Sequence, residues 1–257
     1  MERLTSVDGL EEKLMRDRYA NLFFINDLAL FPGSDIAVYR IGGLYALNYR
    51  NDGMCLFSDG DFDLGEAKAF LDGQDFHTLM GEGSLMKAFI PLYAGSRVLE
   101  RDMLALDRND LKAVDRGYDT RLLDSVQDIL SVKELYHEIP EFDCPAPTLE
   151  LARAEAGRSD TLYCGTFVNG QLVSTAALSA ICAKSAMVTG VATREGWRNR
   201  GCASHTLSRL ASAGFSQLGL DYVCLWYSDE TALAAYRKLG FRSVARFTSI
   251  TIRRTQE

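Results

Sequence analysis

At 257 residues, 47% hydrophobic and 25% charged, the chain has the composition of a soluble globular protein, with room for one large domain or two ordinary ones. A net charge of −7 argues against a nucleic-acid or anionic-membrane binder, and no apolar run is long enough to span a bilayer. The opening segment MERLTSVDGLEEKLMRD lacks the apolar core of a secretion signal, so a cytoplasmic protein is expected.

Leu10, Leu14, Ala20, Phe23, Phe24 and Leu28 recur near helical spacing and predict a helix over residues 10–30, stopped by Pro32-Gly33. Three short β-rich runs follow, Ile36 to Ile41, Leu44 to Tyr49 and Met54 to Phe57. They are joined by Gly42-Gly43 and Asn51-Asp52-Gly53, which are hairpin signals. Leu64 to Leu71 reads as a helix, Phe76 to Met80 as a strand, Ser84 to Tyr93 as a helix and Arg97 to Ala105 as a strand. The polar interval Asp107 to Gly117 is expected to be a linker.

Beyond it, Thr120 to Leu123 predicts a strand and Val126 to Tyr136 a helix, with Asp124 or Ser125 as its N-cap. Thr148 to Ala156 is helical, and Leu162 to Val168 and Leu172 to Ser179 form a hairpin about Asn169-Gly170. Met187 to Ala192 is a third strand. A helix from Ala203 to Leu218, a strand from Tyr222 to Tyr227, a helix from Glu230 to Leu239 stopped by Gly240, and a strand from Phe241 to Ile252 complete the order. Both halves thus run through helical elements, three strands, a helix, a strand, a helix and a strand. The chain is read as one module repeated, residues 1–117 and 118–257, each a mixed, mostly antiparallel sheet flanked by helices in an α/β (α+β) fold.

The six cysteines show no C-x-x-C spacing and read as small buried hydrophobes, and the three histidines stand apart from them, so no metal is expected. Chemistry concentrates instead in Val191-Ala-Thr-Arg-Glu-Gly-Trp-Arg198-Asn-Arg-Gly201-Cys-Ala203. A strand, a basic Gly-containing turn and a helix start succeed one another there, which offers free backbone N–H groups, a helix dipole and arginine donors to an anion.

Downstream lies Tyr236-Arg-Lys-Leu-Gly-Phe241. In that order and separation the two stretches resemble the GNAT superfamily of CoA-dependent N-acyltransferases, over roughly residues 118–254. The resemblance implies that Val191, Thr193, Arg198, Asn199, Arg200, Gly201, Cys202, Ala203 and Ser204 hold the pantetheine arm and pyrophosphate of acetyl-CoA. It also implies that Asp229 contacts the cofactor arm where the family often has Asn, and that Tyr236 is the acid that protonates the leaving thiolate. An N–H near Val191 would stabilise the oxyanion. The segment Ile139 to Pro147, with Glu141, Phe142 and Asp143, either caps the acceptor site or is an exposed Pro-rich connection.

The strand Ser185 to Ala192 departs from the family in carrying no Asp or Glu to serve as base; Glu195, in the loop, is expected to be solvated or Arg-paired. The base is left open between a water relay and an amine that arrives neutral. The first half has Phe57-Ser-Asp59-Gly-Asp61-Phe-Asp63 where the basic loop would be, so one acyl-CoA site is expected, in a tandem arrangement resembling glycine N-acyltransferase-like proteins. The implied function is acetyl transfer to a small amine or amino-acid-like acceptor, by a monomer or homodimer. The alternative is a non-catalytic CoA-binding sensor or interaction module.

Overall fold

Gly42-Gly43 and Asn169-Gly170 sit at turns between paired strands and Ser125 caps its helix, while Asn51 lies outside the described residues. The computed structural model describes residues 2–31, 33, 35–50, 52–142, 144–182, 184–227 and 230–252, except the side chains of Glu230 and Thr231. In chain order the elements are β1 (Glu2–Arg3), α1 (Leu10–Leu14), α2 (Leu22–Leu30), β2 (Ile36–Ile41), β3 (Leu44–Tyr49), β4 (Gly53–Ser58), α3 (Leu64–Asp72), β5 (Thr78–Glu82), α4 (Gly83–Met86) and β6 (Arg97–Asp107). They continue as β7 (Asp119–Leu123), α5 (Val126–His137), α6 (Leu149–Ala156), β8 (Leu162–Val168), β9 (Gln171–Ser179), β10 (Ser185–Thr193), α7 (Cys202–Gln217), β11 (Tyr222–Tyr227), α8 (Glu230–Leu239) and β12 (Arg242–Thr251).

The chain divides into two compact units, Met1–Met103 with Ser243–Glu257, and Leu104–Arg242. The sequence-based boundary after Gly117 follows the repeat of elements, whereas this division follows contacts. By contacts, the interval Asp107 to Gly117 belongs to the second unit and most of β12 to the first. That interval is tied down: Lys112 N–H donates to Leu239 O at 2.9 Å, and Val114 N–H donates to Ser208 Oγ at 2.8 Å.

In the first unit the strand order is β1-β2-β3-β4-β5-β12, antiparallel except for β4 beside β5. Alternate residues of each strand feed opposite faces. Met54 and Leu56 pack with Phe70, Leu71 and Phe89 on the α3 and α4 side, while Cys55 and Phe57 pack with Leu10, Leu14 and Phe24 under α1 and α2. The single helix expected over 10–30 is two, because Asp17 and Asn21 redirect the chain between them. Asp17 Oδ1 accepts the Ala20 N–H at 3.2 Å and Asn21 Nδ2 donates to Leu14 O at 3.0 Å. The helix expected over 84–93 is the short α4 and a 3-10 turn, Ile90–Tyr93, with Pro91 at its start.

In the second unit the order is β11-β10-β9-β8-β7, again with one parallel pair, β10 beside β11. Ala176 and Leu178 face α7 and α8 along with Leu104 and Leu106 from the end of β6; Tyr163 and Ala177 face α5 and α6. Ser125 and Thr148 cap α5 and α6 by accepting the N–H groups of Asp128 and Leu151. At the β8–β9 turn, Asn169 and Gly170 take φ of 51° and 77°, the left-handed pair a two-residue hairpin needs. The fold is therefore α/β with helices on both faces of mixed, mostly antiparallel sheets.

Candidate active site

β10 and β11 are in parallel register only from Ser185↔Tyr222 to Met187↔Cys224. Past Met187 the two strands part, and this leaves a backbone edge of β10 open. The antiparallel register of β10 with β9 shifts between Thr189 and Ala192, so Gly190 and Val191 together oppose one residue of β9. This bulge is made possible by Gly190, whose φ is 59°. Tyr136, from α5, donates its hydroxyl to Gly190 O at 2.9 Å. Burial pushes the Tyr136 hydroxyl well above its ordinary range, so it stays a donor. Sequence reading found neither residue in this role, although a Gly inside a strand pattern is itself a sign of a bulge.

Ser174 Oγ donates to Ala192 O at 3.0 Å, and the Thr193 hydroxyl lies 2.9 Å from Ser174 Oγ, which pins the end of β10. Glu195–Trp197 then forms a 3-10 turn, and α7 starts at Cys202 behind Gly201. Asn199 and Gly201 have φ of 61° and 82°, so the chain turns its N–H groups inward over the helix start. No side chain caps α7. Its first N–H groups are therefore free for an external acceptor.

These elements enclose a cavity of about 270 Å³. Val191, Thr193, Arg198, Asn199, Gly201, Cys202, Ala203 and Ser204 line it, together with Tyr236 from α8. Eight of the loop and strand residues named from the sequence are thus brought together with the named acid. Arg200 is not among the lining residues: its guanidinium lies over the Trp197 ring at 4.9 Å, and its carbonyl accepts the Tyr118 hydroxyl. Arg194 is also occupied, donating to Leu172 O at 2.8 Å and pairing with Glu138. Arg198 is exposed and reaches Thr193 O at 3.3 Å, so its remaining N–H groups can meet a ligand. Asp229 lies outside the described residues, as does Asp143.

Tyr236 is buried, with its ring edge-on to Phe241 at 5.9 Å between centroids. Cys202 is buried in the first turn of α7. Among the described residues no carboxylate lines the cavity, and Glu195 is exposed in the loop. Phe142 stacks on Tyr136 at 4.5 Å and packs, with Cys144, against the α5–α6 core, so this part of the Ile139 to Pro147 segment is anchored. No group of three or more metal-ligating side chains lies together among the described residues.

An inward-turned loop, an uncapped helix start and an arginine at the rim suit a pyrophosphate, and the unpaired edge of β10 suits the amide-bearing arm of CoA. Residues 128–241 match the acetyltransferase (GNAT) family. Of solved structures, a GCN5-related N-acetyltransferase from Kribbella flavida is similar at a TM-score of 0.70 and 18% identity, with 93% of this chain and 96% of that chain covered. A Drosophila protein is similar at a TM-score of 0.65 and 12% identity, with 98% of each chain covered. A tandem GNAT protein from the clavulanic acid biosynthesis pathway is similar at 0.52 and 15%, again with 98% of each covered. No curated protein matches the chain. Residues 128–241 are a GNAT acetyltransferase-family domain, in a chain that shares its fold with GCN5-related N-acetyltransferases along most of its length.

Proposed function

We propose that this chain is an acyl-CoA-dependent N-acyltransferase, moving an acetyl group from acetyl-CoA to a small amine or amino-acid-like acceptor by direct attack. The observation that supports it most is the cavity that gathers Arg198, Asn199, Gly201, Ala203, Ser204 and the buried Tyr236 beside the open edge of β10. In this reading the loop N–H groups and Arg198 hold the pyrophosphate, and Val191 and Thr193 hold the arm. The N–H freed at the Gly190–Val191 bulge donates to the developing oxyanion, and Tyr236 gives its proton to the departing thiolate. The amine arrives neutral or loses its proton through water, since no carboxylate lines the cavity among the described residues.

The repeated order of elements supports two GNAT-like modules, residues 1–117 without the CoA loop and residues 118–257 with it, as in the tandem arrangement noted above. Their cytoplasmic location is part of the same proposal. A CoA-binding sensor is the second reading, favoured by the lack of a lining carboxylate.

Incubation with acetyl-CoA and a panel of small amines, following free thiol, tests both. Acceptor-dependent thiol release that falls about 10²-fold in Tyr236→Phe supports the transferase with Tyr236 as its acid. Release that survives the substitution removes Tyr236 from the mechanism. Tight CoA binding with no turnover on any amine sinks the transferase in favour of the sensor.

A further inference from the structure

Helix α7 has a polar stripe that acyl transfer does not use. His205, Ser208, Arg209 and Ser212 recur at i, i+3, i+4 and i+7 and so share one face. On a helix with ten buried residues, among them Leu207, Leu210, Ala211 and Phe215, such a stripe needs a partner. With Tyr118 and Asp115 it lines a cavity of about 350 Å³ in the second unit.

His205 is only 7% exposed. Its Nδ1 accepts the Arg116 N–H at 2.8 Å, which leaves Nε2 to carry the ring proton in the neutral form. That Nε2–H has no protein acceptor among the described residues. Ser208 Oγ accepts the Val114 N–H at 2.8 Å, so its own hydrogen is available to donate. Arg209 is exposed at the rim, and the Ser212 hydroxyl lies one turn further on. The Tyr118 hydroxyl donates elsewhere, to Arg200 O at 2.9 Å. Asp115, the single lining carboxylate, is 90% exposed at its side chain; its Oδ1 accepts the Gly117 N–H at 2.8 Å and lies 3.8 Å from His205 Nδ1, on the side of the ring away from Nε2. Apart from Asp115 and from Thr120, whose hydroxyl pairs with that of Thr166 at 2.8 Å, the polar lining offers donors: an imidazole N–H, the Ser208 and Ser212 hydroxyls and the Arg209 guanidinium.

We propose that this cavity is a second, phosphate-binding site, distinct from the acyl-CoA cavity, for the phosphate group of a small phosphate ester. His205 Nε2–H and the Ser208 and Ser212 hydroxyls donate to the phosphate oxygens, and Arg209 pairs with their charge. The volume leaves room for a small organic group beyond the phosphate.

The site is wired to the acyl-CoA loop. Arg116 holds His205 through its N–H, and its guanidinium stands beside Gly201; Tyr118 holds the Arg200 carbonyl. Filling the cavity therefore bears on the segment that steadies that loop.

The test is phosphorus NMR of inorganic phosphate with the full chain, free of CoA, reading line broadening. The wild type is expected to broaden the signal and Arg198→Gln, which removes the acyl-CoA loop's arginine, to retain broadening, while Arg209→Gln and His205→Asn, each made in the Arg198→Gln background, weaken apparent affinity about tenfold. Asn at 205 can still accept the Arg116 N–H but lacks the Nε2–H, and Arg209 is exposed, so the two variants guard against simple unfolding. No broadening by the wild type overturns the proposal. So does broadening already lost in Arg198→Gln, which assigns the phosphate to the acyl-CoA loop. Adding CoA or 3′-dephospho-CoA separates the sources: persistence with both supports an independent site, and displacement by CoA alone assigns the cavity to the cofactor's own 3′-phosphate and refutes it.

Discussion

Gly190→Ala tests whether the bulge in β10 is built as described. Glycine adopts φ of 59° there, in the left-handed region that costs an alanine about 1–2 kcal/mol. An added Cβ would also overlap the Tyr136 hydroxyl and come 2.8 Å from its Cζ. The ring cannot swing away freely, because it is 6% exposed and stacked on Phe142. Overpacking of this kind costs about 1–3 kcal/mol, and losing the bond to the Gly190 carbonyl costs about another 1 kcal/mol. The expected loss is about 3–6 kcal/mol. Both tryptophans, Trp197 and Trp226, lie in the second unit, so urea unfolding followed by their fluorescence reports that unit. Tyr136→Phe deletes the worst overlap. In that background Gly190→Ala is expected to cost about 1–2 kcal/mol less, a coupling read from the double-mutant cycle. A Gly190→Ala variant within about 0.5 kcal/mol of wild type, with an unchanged denaturant slope, would falsify the bulge argument.

Gly201→Ala places a side chain at φ of 82° and brings its Cβ to 3.2 Å from Arg116 Nε. It is expected to weaken CoA binding about tenfold by calorimetry while costing about 1–2 kcal/mol of stability; unchanged affinity argues that the loop does not hold the pyrophosphate. In the first unit, burial raises the Asp27 carboxyl from 3.8 to about 6. Folding then favours its protonated form: between about pH 4 and 6 the native chain holds the extra proton, and stability falls as pH rises through that window. Asp27→Asn removes this dependence and gains up to about 3 kcal/mol at pH 7. Circular-dichroism melts of both proteins across pH 4–7 check it, and two parallel stability curves contradict it.

Features written into neighbouring residues were legible in the sequence. Asn169-Gly170 marks its hairpin because two left-handed residues in succession admit little else, Ser125 and Thr148 mark their helix starts, and the loop from Thr193 to Ser204 is contiguous with the helix it opens. Features made by distant residues were not. Tyr136 meets Gly190 across 54 positions, and Arg116 meets His205 across 89, so no local pattern announces either pair. The separate fates of Arg198 and Arg200 were equally hidden: alternate residues of one turn point apart, and only the Trp197 ring and Tyr118 decide that Arg200 is held off the cavity.

The same distinction explains the ends of the two halves. The succession of elements repeats at Gly117, because it is set by local spacing. Which sheet a final strand joins is set by pairing instead. Thr248 of β12 sits opposite Gly81 of β5, and Ile250 enters the core of Phe70 and Phe89, while Leu104 and Leu106 of β6 enter the core of Leu178 and Phe241. Each half thus gives part of its last strand to the other's core. Neither half taken alone, residues 1–117 or residues 118–257, retains every strand residue that its own core buries: Leu104 and Leu106 precede Gly117, yet they share a core with Leu207 and Tyr236, which line the cavity at the start of α7.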